Sequence, residues 1–420
     1  MAENKDKKVL NVPNKREITP NELGSAEHKE VRLKRNVPNL RFKEFSGEWE
    51  EKRLGEIGEV NMCKRILASQ TNTEGGVPFY KIGTIGGLPD AYITKELFES
   101  YKEKYNYPYK GEVMITCAGT VGKCIIYDGQ DAYFQDSNIV WIKNSSLQID
   151  NAFLYNLLKR VDWRKLNSTT IIRIYNDDLR NLKLCYPKKE EQLKISKFLS
   201  LLDERIATQN KIIEELECLK KEITKRLFSQ KANKYNRLDS LFIKGKAGGT
   251  PTSTNKEYYN GNIPFLSIND ITTQGKYIYY TEKYITQKGL DNSSAWIVPK
   301  GCLIISMYAS VGLVAINCIP ISTSQAMFSI QLKDENLIDY LYYYLSYFRY
   351  RHIHKYLETG TQSNINADIV RSILIPDYGY DMNIKIANSI KSIDDKIKNE
   401  VLILNQYTFQ KQHLLRQMFI

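Results

Sequence analysis

The chain contains two copies of one long repeat. A shift of 190 residues places residues 110–115 on residues 300–305, and residues 121–122 on residues 311–312. A shift of 191 residues places Asp203 on Asp394 and Phe228 on Phe419. Solenoid repeats have periods of roughly 20–50 residues, so a period this long corresponds to a whole domain with its connecting segment. The sequence therefore predicts two similar domains, each followed by a similar connector.

Each copy contains the same succession of segments. Short apolar runs punctuated by glycine, such as residues 77–85 and 112–127 of the first copy, indicate strands and turns. A helical segment follows at residues 151–160 in the first copy and at residues 337–350 in the second. A short apolar run then ends at Pro187 or at Pro376. This pattern is typical of a mixed α/β domain.

The last segment of each copy is long, contains no glycine or proline, and is patterned in heptads. Polar residues interrupt the two apolar seams at the same two places, Gln209 and Lys220 in the first and Glu400 and Lys411 in the second. We expect the two helices to pair with each other as an antiparallel coiled coil. The alternative is that each helix packs on its own domain as a surface helix. The apolar seam positions are Leu199, Leu202, Ile206, Ile213, Leu216, Ile223, Leu227, Ile390, Ile393, Ile397, Leu404, Tyr407, Leu414 and Met418.

These patterns together predict an α+β fold with an internal pseudo-twofold repeat. Two similar mixed α/β domains would be separated by the two long paired helices. The expected segments are an N-terminal arm at residues 1–36, which we expect to be mobile, a first domain at 37–187, a central helix at 188–236, a second domain at 237–376 and a C-terminal helix at 377–420.

The charge balance favours a polyanionic partner. The 420 residues include 60 Lys and Arg against 48 Asp and Glu, a net charge of +12, which indicates nucleic acid ahead of a membrane surface. Residues 301–332 carry no charge and suggest a membrane span. The equivalent stretch of the first copy contains Glu112, Lys123, Asp128 and Asp131, so we interpret residues 301–332 as two buried strands and a turn.

No motif in the sequence supplies catalytic chemistry. The seven cysteines are odd in number and form no CxxC pair, so we expect a reducing cytoplasmic compartment and no bound metal. No glycine-rich nucleotide loop is present, and no Asn-Pro-Pro-aromatic motif of the kind that amino-methyltransferases use to hold an extruded base. We therefore expect a non-catalytic chain without a cofactor. A stand-alone DNA-modifying enzyme and a protein–protein adaptor are the alternatives.

Residues 37–420 resemble the specificity subunit of type I DNA restriction-modification enzymes. The order of parts, domain, helix, domain and helix, is the most specific similarity. The sequence motifs that carry the resemblance are Val37-Pro38-Asn39-Leu40-Arg41-Phe42, Trp49-Glu50, Leu54-Gly55, Gly119-Thr120-Val121-Gly122, Glu190-Glu191-Gln192 and Leu201-Leu202-Asp203.

The resemblance implies a division of labour within a complex. Each of the two domains would be a target-recognition domain that binds one half of a bipartite, asymmetric DNA sequence, and the helices would set the gap. Two methyltransferase subunits would use S-adenosylmethionine to methylate adenine N6. Endonuclease subunits that hydrolyse ATP would translocate and cleave unmethylated DNA. S-adenosylmethionine, ATP and Mg²⁺ are therefore expected in the partner subunits, and none in this chain.

The two copies differ in the side chains of their glycine-rich turn. Cys117, Ala118 and Lys123 of the first copy are matched by Met307, Tyr308 and Leu313 of the second, which predicts two different half-sites. Base edges are read by donors and acceptors, whereas Lys and Arg mostly contact phosphates, and Ser or Thr beside Gly is also a common turn former. The candidate DNA-binding residues are Lys81, Thr84, Thr120, Lys123, Thr169, Thr170 and Arg173 in the first copy, and Lys246, Asn269, Tyr308, Ser310, Gln325, Gln362, Ser363 and Asn364 in the second.

Overall fold

The computed structural model describes residues 36–165, 173–355 and 364–420. The chain divides into two compact units, which we describe separately. The first unit comprises the residues up to 196 together with residues 414–420, and the second comprises residues 197–413. The arm predicted for residues 1–36 lies outside the described residues, except for Asn36.

The first unit is built on small sheets. Its strands are β1 (Glu50–Arg53), β2 (Glu59–Met62), β3 (Val77–Tyr80), β4 (Tyr92–Ile93), β5 (Val113–Thr116), β6 (Cys124–Ile126), β7 (Tyr133–Phe134), β8 (Ile139–Lys143) and β9 (Lys183–Tyr186). One sheet has the antiparallel order β2-β8-β5-β6. The other has the order β4-β3-β7, in which β3 and β7 run parallel. Strand β1 pairs antiparallel with β9 and so joins the beginning of the unit to its end.

The helices of the first unit are α1 (Leu54–Ile57), α2 (Lys95–Lys104), α3 (Asn151–Arg160), α4 (Asn176–Asn181) and the start of α5 (Lys189–Phe228). Helices α2 and α3 begin at polar side-chain caps. The Thr94 side chain accepts a hydrogen bond from the backbone of α2, and the Asp150 carboxylate accepts one from the Phe153 backbone N–H at 3.0 Å. The Phe153 ring stacks on Phe419 with the ring centroids 5.0 Å apart, which fastens the C-terminal residues to this unit.

The second unit repeats the plan with additions. Its strands are β10 (Lys234–Arg237), β11 (Phe242–Ala247), β12 (Tyr259–Leu266), β13 (Tyr277–Ile278), β14 (Lys283–Ile285), β15 (Leu303–Ser306), β16 (Val314–Asn317), β17 (Ser322–Thr323), β18 (Met327–Leu332) and β19 (Leu374–Asp377). Its sheets have the orders β11-β18-β15-β16-β13 and β14-β12-β17, and β10 pairs with β19. The helices are α6 (Ile268–Gln274), α7 (Gln287–Asp291), α8 (Ile338–Arg351), α9 (Ala367–Ser372) and α10 (Tyr380–Gln417).

The strand pairings of the first unit recur in the second. Strands β3, β4 and β7 correspond to β12, β14 and β17, including the parallel pair, and β2, β5, β6 and β8 correspond to β11, β15, β16 and β18. Helix α6 and strand β13 form an insertion between β12 and β14. The structure therefore confirms that the two mixed domains share one fold.

The charge-free stretch at residues 301–332 is more divided than the sequence suggests. The prediction of two buried strands and a turn is wrong in number, because β15, β16, β17 and β18 all lie within this stretch. Strand β17 has only two residues, which is too short to show an alternating pattern. Among the described residues, none of the helices is both long enough and apolar enough to cross a membrane.

Helices α5 and α10 pair along their apolar seams. Residues 203 and 209 of α5 contact residues 411 and 400 of α10, so residue numbers rise along one helix as they fall along the other. This confirms the predicted antiparallel coiled coil. Each predicted seam position is buried or half-buried.

Each polar interruption of the seam has a polar partner on the opposite helix. The Gln209 side-chain amide donates to the Glu400 backbone carbonyl at 3.1 Å and also to its carboxylate. Lys220 pairs with Asp394, and the repeat-equivalent Lys411 pairs with Asp203. Gln209 and Glu400 are themselves repeat equivalents, so a pseudo-twofold axis of the helix pair passes between them. Paired polar residues in a coiled-coil seam fix its register.

A charged cluster joins α8 to α10 in the second unit. The Asp339 carboxylate lies 2.7 Å from the Lys276 ammonium and 2.8 Å from the Lys391 ammonium. Burial opposes ionisation of this carboxyl, but the hydrogen bonds from the two lysines lower its pKa below the usual value. The Lys276 ammonium also lies 4.1 Å from the centre of the Tyr343 ring. The cluster holds the helix pair against the core of this unit.

Candidate nucleic-acid interface

The parallel strands β3 and β7 end at one edge of the first unit. The Gln135 backbone N–H, just after β7, donates to the Tyr80 carbonyl at 2.9 Å. The Ile82 backbone N–H, just after β3, donates to the Gln135 side-chain oxygen at 3.3 Å. Residues 81–85 and 135–138 therefore lie side by side.

The turn between β5 and β6 lies against both of these segments. The Cys117 backbone N–H donates to the Asn138 carbonyl at 2.7 Å, and the Lys123 ammonium donates to the Ile85 carbonyl. The Ile174 backbone N–H donates to the Cys117 carbonyl at 2.9 Å, which brings the neighbouring Arg173 to the same place. We call residues 81–85, 117–123, 135–138 and 173 the first turn face.

Hydrogen bonds and glycine fix the shape of the 117–123 turn. The Thr116 hydroxyl donates to the Thr120 carbonyl and accepts from the Lys123 backbone N–H at 3.0 Å. Gly122 has a φ of +80°, and a Cβ added there would lie 2.0 Å from the Trp163 ring. Only glycine combines this backbone with this close approach. The side chain of Thr120 is consequently presented to solvent at the tip of the turn.

The candidates of the first copy that the structure describes all lie on the first turn face. Lys81 is half-buried and lies 3.1 Å from the Asp90 carboxylate. The Thr84 hydroxyl accepts from the Lys81 backbone N–H at 3.0 Å, as a turn former does. Thr120 and Lys123 are exposed, and Arg173 donates to the Ser137 hydroxyl at 3.3 Å. Thr169 and Thr170 lie outside the described residues.

The second unit builds the same turn from different residues. The Ser306 hydroxyl donates to the Ser310 carbonyl at 2.8 Å and accepts from the Leu313 backbone N–H at 2.9 Å, as Thr116 does in the first unit. The Met307 backbone N–H donates to the Ala326 carbonyl at 2.7 Å and its carbonyl accepts from Ile365 at 3.1 Å. Residues 267–269 and 324–326 follow the parallel strands β12 and β17, and we call residues 267–269, 307–313, 324–326 and 364 the second turn face.

The candidates of the second copy lie on or beside the second turn face. Tyr308 is 40% exposed and Ser310 is exposed with a φ of +53°, a strained conformation for a residue with a Cβ. Gln325 bonds the Thr250 hydroxyl, and Asn269 donates to Glu282 at 2.9 Å. The remaining described candidates are Asn364, which is half-buried, and Lys246, which is exposed on β11. Gln362 and Ser363 lie outside the described residues.

Sequence reasoning missed a pair of arginine contacts on the 135–138 segment. Arg65 lies 2.6 Å from the Asp136 carboxylate, and the neighbouring Ser137 accepts the Arg173 hydrogen bond. Arg65 and Asp136 are 71 positions apart, and no motif connects them. One signal in the sequence could have drawn attention to this segment. Residues 135–138 of the first copy align with residues 324–326 of the second, which are one residue fewer.

The thiols at the first turn are not nucleophiles. Burial raises the pKa of Cys117 to about 12, against the opposing charge of Arg173, and burial also raises the pKa of Cys124 to about 12. Since the thiolate is the reactive form, both groups remain protonated at neutral pH. The turn therefore offers hydrogen-bonding side chains for recognition and no activated cysteine.

A family model for the type I restriction modification DNA specificity domain matches the chain twice, at residues 46–218 and 231–406. The chain belongs to this family. Each match contains one turn face and most of one long helix. The family and the duplication that the sequence predicted are thus confirmed.

Individual relatives agree with the family assignment. A putative type I restriction enzyme specificity subunit of Haemophilus influenzae is 48% identical over 163 residues, which are 39% of this chain and 42% of that protein. This chain thus spans less than half of that relative. The putative MjaX specificity subunit of Methanocaldococcus jannaschii is 26% identical over 400 residues, covering 86% of this chain and 91% of that protein.

Solved structures show the same fold. The type I restriction-modification S subunit of M. genitalium superposes with a TM-score of 0.57 at 17% identity, covering 91% of this chain and 99% of that one. A chain from a study of complex assembly and conformational transition in the type I system superposes with a TM-score of 0.58 at 16% identity, covering 88% and 97%.

Proposed function

We propose that this chain is the non-catalytic DNA-reading subunit of a type I restriction-modification complex. The first turn face would read one half of a bipartite site and the second turn face the other half. The observation that carries this proposal is one hydrogen-bonded turn built twice with different side chains. Thr120 and Lys123 of the first turn are replaced by Ser310 and Leu313 in the second. Two turns with the same backbone and different side chains suit a DNA target whose two halves differ.

The chemistry of the two faces suits contacts to both the backbone and the bases of DNA. Lys81, Lys123 and Lys246 supply positive charge for phosphates. The amides of Asn269, Gln325 and Asn364 can read adenine, and the hydroxyls of Thr84, Thr120, Ser310 and Tyr308 can read either donors or acceptors. Thr169, Thr170, Gln362 and Ser363 remain predictions from the sequence.

The helix pair is proposed to set the gap between the half-sites. Helix α5 has 40 residues, which corresponds to about 60 Å of helix. The matched polar contacts of the seam, Gln209 with Glu400 and the two Lys–Asp pairs, hold one register. A fixed register gives a fixed length, so the gap should be one defined number of base pairs.

The same helices are proposed to bind partner subunits. Several apolar side chains outside the seam are exposed on α5 and α10, namely Leu201, Ile212, Leu219, Val401, Leu402 and Phe409. Exposed apolar side chains on a helix pair suit a protein partner. The partners would be two methyltransferase subunits and the endonuclease subunits, and these would carry S-adenosylmethionine, ATP and Mg²⁺.

Partner binding can be tested at Phe409, which is 71% exposed. Phe409→Asp should reduce co-purification of the methyltransferase subunit at least tenfold, because it places a charge in an apolar contact. Gln410→Asp, at the next exposed position, is the matched control and should have little effect. Equal capture by both variants and the unchanged chain would exclude this part of the helix as the docking surface.

Footprinting of the assembled methyltransferase complex tests the reading function. Two protected patches on one duplex, separated by an unprotected or weakly protected gap, are expected. Absence of any protected patch would favour the protein–protein adaptor. The chain alone, incubated with DNA, Mg²⁺, S-adenosylmethionine and ATP, should modify nothing, and turnover without partners would favour a stand-alone enzyme.

A further inference from the structure

An arginine held by a fixed carboxylate distinguishes the first turn face. Arg65 Nε donates to Asp136 Oδ2 at 2.6 Å. The Asp136 side chain is only 17% exposed, whereas that of Arg65 is 68% exposed. The carboxylate is therefore anchored in the face, and the guanidinium that it orients projects into solvent.

The contact through Nε determines which donors face outward. A guanidinium carries five N–H donors in a planar fork, and the Asp136 contact uses the one on Nε. The two terminal nitrogens stand at the far end of the same plane. Two parallel donors in one plane match the O6 and N7 acceptors of guanine in the major groove.

The neighbouring carboxylate favours a base edge over a phosphate as the partner of Arg65. The Asp136 carboxylate offsets the charge of the guanidinium, so the pair attracts a phosphate less strongly than a free arginine would. At a base edge the same carboxylate can accept a hydrogen bond from cytosine N4. An Arg–Asp pair therefore suits G·C-containing sequence.

The second turn face carries different chemistry at the corresponding place. Segment 324–326 is one residue shorter than segment 135–138, and its exposed side chain is the neutral amide of Gln325, bonded to the Thr250 hydroxyl. An amide matches the N6 and N7 groups of adenine. At this segment the first turn face thus suits guanine and the second turn face suits adenine.

We propose that Arg65, oriented by Asp136, reads a guanine in the half-site bound by the first turn face. This proposal rests on the proposed function, since it names a base within the DNA site that the chain reads. Arg65 is the specificity-determining residue and Asp136 is its positioning residue.

The test maps the methylated motif of the reconstituted methyltransferase complex on a randomised DNA library. Arg65→Ala and Asp136→Asn should lower methylation of guanine-containing targets about 10- to 100-fold at one position of one half-site. The other half-site should be unchanged. Arg65→Lys keeps the charge but loses the planar fork and its contact through Nε, so it should weaken the guanine preference.

Matched controls separate this role from structural and phosphate roles. Arg180→Ala removes an exposed arginine 3.1 Å from Asp177 on α4, outside the turn face, and should leave the motif unchanged. Retention of the guanine preference in folded Arg65→Ala overturns the inference. Uniform weakening on all sequences, with a reduced salt dependence, assigns Arg65 to a phosphate and also overturns it. A wild-type complex without a bipartite motif would instead refute the proposed function itself.

Discussion

Lengthening the helix pair should widen the gap between the two half-sites. Four helix-forming residues are inserted after Leu216 in α5 and four after Ile397 in α10. Both insertions fall between the Gln209–Glu400 contact and the Lys220–Asp394 contact, so the added turns face each other. Four residues add about 6 Å of helix, which corresponds to about 2 base pairs of B-form DNA.

The rotation that accompanies the insertion is also tolerable. Four helical residues turn the chain by about 400°, or about 40° net, and two base pairs turn the duplex by about 70°. The remaining difference of about 30° can be distributed over the twist of the DNA between the half-sites. The recognised gap should therefore grow by about 2 base pairs while both half-sequences stay the same.

Sequencing of methylated adenines in cells that express the variant complex measures the gap directly. Insertion in α5 alone is the matched control. It moves Lys220 about 6 Å along the helix, beyond the reach of Asp394, so this variant should melt at a lower temperature and methylate poorly. A folded, active double insertion with the original gap would refute the idea that the helices set the spacing.

Three further outcomes follow from the described contacts. Asp339→Asn strands two partly buried ammonium groups and should lower the free energy of unfolding by about 2 kcal/mol, measured by urea denaturation. Gly122→Ala, whose Cβ meets the Trp163 ring, should cost about 2–4 kcal/mol in the same assay, more than Gly312→Ala, whose Cβ meets a flexible side chain. Native Cys117 should resist iodoacetamide at pH 8, since burial raises its pKa to about 12, and become labelled only in denaturant. Equal costs for the two glycine variants, or rapid native labelling, would contradict these contacts.

Periodic features of the fold could be predicted from the sequence. The heptads and their matched polar interruptions indicated the antiparallel pairing, because each residue's role depends on spacing along one helix. The repeat indicated two copies of one domain, although it did not indicate the order of the strands within that domain. The turn at residues 117–123 could also be predicted, since Gly119 and Gly122 indicate a backbone with a positive φ.

Non-local pairings could not be predicted in the same way. The parallel pairing of β3 with β7 brings together segments about 50 residues apart, and it alone places Lys81 beside Gln135. The contact of Arg65 with Asp136 follows from another non-local pairing, that of β2 with β8, in which Met62 lies opposite Val140. Strands of two residues, such as β7 and β17, carry no periodic signal. These short strands nevertheless position both turn faces.

The central claim is that one chain reads two different half-sites through two copies of one turn. Genome-wide mapping of methylated adenines, in cells that contain this chain and its proposed methyltransferase partner, tests it most directly. The expected result is one motif made of two unlike half-sequences separated by a gap of fixed length. Replacing Thr120 and Lys123 by their second-turn equivalents, Ser310 and Leu313, should change one half-sequence and leave the other. A continuous or palindromic motif, or a simultaneous change in both halves, would contradict the account.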